Sequence, residues 1–169
     1  KAVVLAAPFY VAIGLYLLFL SLRLLDVSRG ISLLMVIFCV IATSLYYYTV
    51  VEGLMSHSFS FALFSAFSFL WLKYLEGRNS WSVKIWLALV ISLIVVVRPF
   101  NILMLPCFAI GLAAIRYRSF SIILHPTLRL LPVLLVVSVI VALPQLLYYK
   151  HVFGSWVADS YQKESFDFL

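Results

Sequence analysis

Glu52, His57 and Arg98 are the ionisable residues of this chain whose types and setting could do chemistry at a membrane boundary. Glu52 and His57 fall within Tyr46-Tyr-Tyr-Thr-Val-Val-Glu-Gly-Leu-Met-Ser-His-Ser-Phe-Ser60, a stretch that also carries hydroxyls on Tyr46 to Tyr48, Thr49, Ser56, Ser58 and Ser60. Arg98 precedes Pro99 at the end of a later apolar run. Ionisable side chains are expensive to hold near lipid, so each is a candidate functional group. Arginine suits phosphate because its planar fork presents several donors. The chemistry on offer is a grip on an anion by Arg98 and His57, with Glu52 orienting a hydroxyl or a partner. Plainer alternatives are a Glu52–Arg98 ion pair at the rim, residues facing headgroup water, and a histidine that is hydrogen-bonded but holds no ligand. If the helix after the stretch begins early, Glu52 and Ser56 share a face at i,i+4 while His57 points elsewhere.

Other residues offer less. His125 precedes a proline in a basic loop and His151 lies in the interface, and both read as satisfied polar groups. Glu52 and His57 lack further ligands at metal spacing, so no metal site is expected. Cys39 and Cys107 sit in apolar runs without CxxC spacing, as buried small hydrophobes would. The G-x-S-x-G, P-loop, H-E-x-x-H and G-x-G-x-x-G arrangements are all missing from the sequence, and no cofactor is implied.

The elements that must position these groups are set by composition. Of 169 residues, 66% are hydrophobic and 11% charged, with a mean hydropathy of +1.16. Soluble domains carry about 25% charged residues. Lipid is therefore the solvent for most of this chain. Its net charge of +6 sits in short loops between apolar runs, which fits membrane orientation and not nucleic acid.

A crossing helix needs about 20 apolar residues. Runs near 4–22, 31–48, 57–74, 81–97, 100–115 and 130–149 predict an all-α, polytopic transmembrane helical bundle of about six spans, since lipid leaves no water for bare backbone. The bundle occupies 1–149, and 150–169 begins a polar, aromatic outer segment. Arg98-Pro99 ends the fourth run, and the short link to the fifth predicts a tight hairpin, with Asn101 as a candidate cap. The phenylalanines of the third run (Phe59, Phe61, Phe64, Phe67 and Phe69) read as packing and lipid-facing groups. Loops at 23–30, 73–84 and 116–129 hold Arg23, Arg29, Lys73, Arg78, Lys84, Arg116, Arg118 and Arg129, eight of twelve Lys and Arg. The positive-inside rule puts those loops in the cytoplasm, and both ends, the 46–60 stretch and Arg98 on the outer face. The chain begins at Lys1 without Met or a cleavage site, so it reads as an internal piece of a longer protein.

The 46–60 stretch resembles the "YYTVVEPxMSHxYSF" segment of bacterial membrane glycosyltransferases of the GT-C superfold, similar to protein mannosyltransferases and aminoarabinose transferases. Val97-Arg-Pro-Phe-Asn-Ile102 resembles their "VRPTN" helix end. Phe153-Gly-Ser and Tyr161-Gln-Lys-Glu-Ser-Phe-Asp-Phe168 resemble their "FGxxxxxxYGxEGFxF" segment. The likeness covers about Ser32 to Leu169. It departs at Gly53, where the family tends to have Pro, and at Ser165, where it tends to have Gly. The family's large acidic first outer loop is not in this chain, so no catalytic residue is named.

The resemblance implies a bacterial inner-membrane enzyme that moves a sugar from a polyprenyl-phosphate donor to an acceptor on the outer face. In that reading Arg98 and His57 bind the donor phosphate, Glu52 and Ser56 orient the site, and Tyr47 and Tyr48 line the acceptor or prenyl groove. Partners would be membrane lipids, the polyprenyl-phosphate sugar and other membrane subunits. The rival readings are an ion-coupled transporter subunit, with Glu52 and His57 as a proton relay, and a non-catalytic scaffold subunit.

Overall fold

The computed structural model describes residues 2–52, 56–77, 80–117 and 121–156, with side chains described at 6–52, 56–77, 80–117 and 126–156. Expectations that concern Gly53, Arg78, Arg118, the side chain of His125, and everything in 157–169 lie outside these residues.

The described chain is all-helical. Helix α1 spans Ala2–Leu24, α2 Arg29–Ile41, α3 Leu45–Val50, α4 Ser56–Leu75 and α5 Trp81–Val97. A 3-10 turn at Pro99–Leu103 leads into α6, Met104–Tyr117, and α7 runs over Ser121–Phe153. Four helical segments are long and apolar enough to cross a membrane: 6–24 in α1, 56–75 in α4, 99–117 across the turn and α6, and 126–153 in α7. Helix α5 has 17 residues and α2 has 13, or about 25 and 20 Å at 1.5 Å per residue. Both are apolar but shorter than the four.

Three sequence expectations change here. The run expected at 31–48 is broken into α2 and α3, because Thr43 offers its hydroxyl to the local backbone. It donates to the Cys39 carbonyl at 2.5 Å and accepts from the Leu45 amide at 3.2 Å, competing with the helical ladder. Second, α7 starts well before 130 and carries His125, Pro126 and Arg129 within the helix, continuing past Pro132 and Pro144 to Phe153. The prolines forfeit backbone bonds without ending it, as apolar helices tolerate. Third, α5 and α6 do not pack as a hairpin. The 3-10 turn after Pro99 splays them apart, so that α7 lies along α5 and α6 turns to α4.

The core sits where α4 meets α5, α6 and α7, around Phe67, Trp71, Tyr74, Leu87 and Ile94. Polar tips in this core are all spent. Trp71 donates its indole N–H to the Ala109 carbonyl at 3.1 Å, and the Tyr74 hydroxyl donates to the Pro126 carbonyl at 3.0 Å. These bonds cross between helices and fix α6 and α7 against α4. On the other side, α1 lies against α4 through Gly14, where an added Cβ would come within 2.8 Å of the Phe61 ring. A missing side chain lets the two helices approach closely, as small residues do in membrane packing.

The cysteines are not buried as expected. Cys107 is exposed and Cys39 half-buried, both as free thiols. An apolar side chain suits lipid as well as it suits a core. At one end of the bundle Arg116 pairs with Asp26 and, at 3.8 Å, with Glu76, drawing together the α1–α2 loop and the ends of α4 and α6.

Candidate functional site

The opposite end holds the Glu52, His57 and Arg98 region. Helix α4 begins at Ser56, so Ser56 and His57 are its first two residues and Glu52 stays outside it. Helix α5 stops at Val97, where Arg98 turns extended (φ −150°, ψ 108°) ahead of Pro99. That turn sends the Arg98 side chain back over the start of α4. Its Nε–H donates to the Ser56 hydroxyl at 2.7 Å, and Nη2 lies 3.2 Å from His57 Nε2. The early helix start that would have set Glu52 and Ser56 on one face, with His57 elsewhere, does not occur, and Ser56 and His57 meet the same guanidinium. Neighbours in the first turn of a helix can both reach one long side chain that arrives from beyond the helix end.

Helix α3 supplies the other wall. The Tyr48 ring stacks on His57 with centroids 4.1 Å apart and planes 23° from parallel. The fully buried Ser58 hydroxyl donates to the Tyr48 carbonyl at 3.1 Å, pinning α3 to α4. Tyr47, next along, donates its hydroxyl to Glu52 Oε1 at 3.0 Å. In that bond the phenol is the donor and the carboxylate the acceptor. All six sequence-named residues thus gather at one end, as two linked groups: Arg98 with Ser56, His57 and Tyr48, and Glu52 with Tyr47.

The rim ion pair between Glu52 and Arg98 is not formed. Among the described residues the ion pairs are those of Arg116, while Glu52 accepts from a phenol and Arg98 rests on two neutral acceptors. The guanidinium therefore keeps its full charge and several free donors. Asn101 does not cap α6 with its side chain. It donates to the Ile94 carbonyl at 3.4 Å, a second bond to an oxygen that already accepts the Arg98 amide at the end of α5.

Two apolar clefts flank the core. One, of about 620 Å³ between α1, α4 and α5, has Tyr10, Phe59 and Val97 toward the Arg98 end and Leu70 and Trp86 farther along. The other, of about 590 Å³, opens where α5 and α6 splay and includes Ser92 and Ser138, whose hydroxyls meet at 2.8 Å. Tyr47 and Tyr48 line neither cleft, because their rings pack on each other and on His57 and the Tyr47 hydroxyl is taken by Glu52. The sequence reading missed Tyr10, Phe59 and Val97 as groove residues and Ser58 as an anchor. A residue-by-residue search for chemistry passes over the first three, and the Ser58 contact depends on how α3 folds back.

His/Cys/Asp/Glu groups able to hold a metal are absent among the described residues. No protein-family model, curated protein or solved structure matches this chain.

Proposed function

We propose that this chain is part of an integral-membrane glycosyltransferase that takes a sugar from a polyprenyl-phosphate donor at the outer face of a bacterial inner membrane. The observation that carries this reading is an arginine held at the bundle end by neutral partners. A charge left uncompensated at membrane depth is costly unless something anionic comes to it, and a lipid phosphate supplies that anion. In the reaction, Arg98 would steady the phosphate as the sugar departs, an electrostatic contribution made where negative charge develops. Glu52, oriented by Tyr47, faces the same end and orients an acceptor or site hydroxyl. The apolar cleft that begins beside Val97 and Phe59 suits the prenyl tail. Its hydrocarbon lining favours a lipid chain over the hydrated path that a proton-coupled transporter needs.

In this reading the bundle crosses the membrane six times. Helix α5 and the α2–α3 pair would complete four longer spans, and the helix ends bearing Arg23, Lys84 and Arg116 would face the cytoplasm. The test is transfer from a polyprenyl-phosphate sugar by the full-length protein carrying Arg98→Ala. Transfer should fall sharply in a variant that remains folded, and undiminished transfer would remove Arg98 from the mechanism.

A further inference from the structure

The geometry points to His57 as a neutral hydrogen-bond acceptor that positions Arg98, with the Ser56 hydroxyl, not the imidazole, as the second donor to a bound phosphate monoester. The inference rests on reading the Arg98 end as a phosphate site, and it reassigns the part played by His57 there. A guanidinium has five N–H donors and no acceptor. Across the 3.2 Å contact between Arg98 Nη2 and His57 Nε2, the imidazole nitrogen must therefore supply the lone pair. Only the neutral ring with its proton on Nδ1 does so. A protonated ring would set N–H against N–H, with two cations at hydrogen-bond range.

The ring is held for that task. Tyr48 covers one face of it at 4.1 Å, and Tyr48 is itself pinned through its carbonyl by Ser58. Ser56 differs from His57 in one respect. A hydroxyl can accept and donate at once. Having accepted the Arg98 Nε–H at 2.7 Å, Ser56 still has its own proton to offer outward. Two of the five Arg98 donors are used in this way, and the remaining three with the Ser56 O–H make a donor set that fits phosphate oxygens.

Among the described residues, the charged and titratable groups around the ring are few. Arg98 comes from the end of α5, Tyr48 from α3, and Glu52, held by Tyr47, from the segment after α3. From α1, Tyr10 packs against Phe59. Protonating His57 would thus push Arg98 from its place, and phosphate binding should weaken as pH falls through the imidazole range. A histidine that bound the phosphate directly would behave in the opposite sense.

The test uses the full chain in phosphatidylcholine nanodiscs, with farnesyl monophosphate as probe and affinity read between pH 7.5 and 5.5. His57→Gln keeps a neutral acceptor and should hold wild-type affinity within about threefold at pH 7.5, whereas His57→Lys should lose about tenfold or more, as should Ser56→Ala. Wild-type affinity should also fall more steeply on acidification than that of His57→Gln, which corrects for the probe's own protonation. Retention by His57→Lys with loss in His57→Gln would overturn the assignment. Unchanged binding in Arg98→Ala, or no binding by the wild type, would instead remove the phosphate reading. Because a variant can misfold, nitrogen-15 histidine spectra of a His125→Asn/His151→Asn chain provide a second measurement. A neutral ring protonated on Nδ1 at pH 7.5 supports the assignment, and an imidazolium or a ring protonated on Nε2 overturns it.

Discussion

Arg98 and Ser56, 42 residues apart, are joined by a 2.7 Å hydrogen bond that ties the end of α5 to the first residue of α4. The same guanidinium reaches His57, so one planar group is fixed at two points. Lysine cannot reproduce that fork, since its ammonium is a single point of charge on a flexible stem. Arg98→Lys should keep the charge yet lose about tenfold or more in phosphate-lipid affinity, the scale of one charge-assisted hydrogen bond. Titration beside Arg98→Ala checks this, and equal affinity for Lys and Arg would show that charge alone suffices.

Gly14 marks a close approach of α1 to α4, with the Ala62 Cα 3.0 Å and the Phe61 ring 2.8 Å from where a Cβ would stand. Gly14→Ala should therefore destabilise the bundle by about 1–3 kcal/mol despite alanine's better helix propensity, because a ring and a backbone must both move. Denaturation in mixed detergent micelles measures this, and a gain in stability would mean that α1 can slide outward freely.

Ser92 donates to the Ala88 carbonyl at 2.8 Å, so Ser138 is the donor in their 2.8 Å contact. A double-mutant cycle of Ser92→Ala and Ser138→Ala should give a coupling of about 0.6 kcal/mol, typical of hydroxyl bonds between membrane helices. A coupling near zero would separate α5 from α7 at that level.

Asp26 has a left-handed backbone, φ 62°, while its carboxylate pairs with Arg116. Asp26→Gly and Asp26→Ala both delete the ion pair, but only glycine relieves the backbone. The glycine variant should be the more stable of the two by about 1 kcal/mol. Thermal unfolding of both in detergent decides the order.

Sidedness is open to direct chemistry. In a chain with Cys39 and Cys107 replaced by serine, an impermeant maleimide applied to spheroplasts should label Tyr46→Cys and leave Gly77→Cys unlabelled until the membrane is opened. The reverse pattern would place Arg98 in the cytoplasm.

Much of the fold was legible along the chain. Helix α5 begins and ends at the expected residues, Trp81 and Val97, because Ser80 caps one end through the Val83 amide and Arg98-Pro99 stops the other. Helix α4 matches its predicted run to within one residue at each end. The break at Thr43 and the early start of α7 were harder to see. A hydroxyl can point outward or bond its own backbone, and a proline can end a helix or ride within one, according to what packs around it.

Residue types alone determined that the described chain is helical, with segments long and apolar enough to cross a membrane, and that its scarce polar groups gather between apolar runs. In hydrocarbon a backbone can satisfy its polar groups only in helices or closed barrels, and these runs lack the alternation of a barrel strand. Only the tertiary structure decided that Ser56 and His57 both take Arg98 as partner, that Glu52 takes Tyr47 instead, and that α5 parts from α6. Those outcomes depend on the direction in which each chain end enters the bundle, and that direction is set by contacts between residues far apart in sequence.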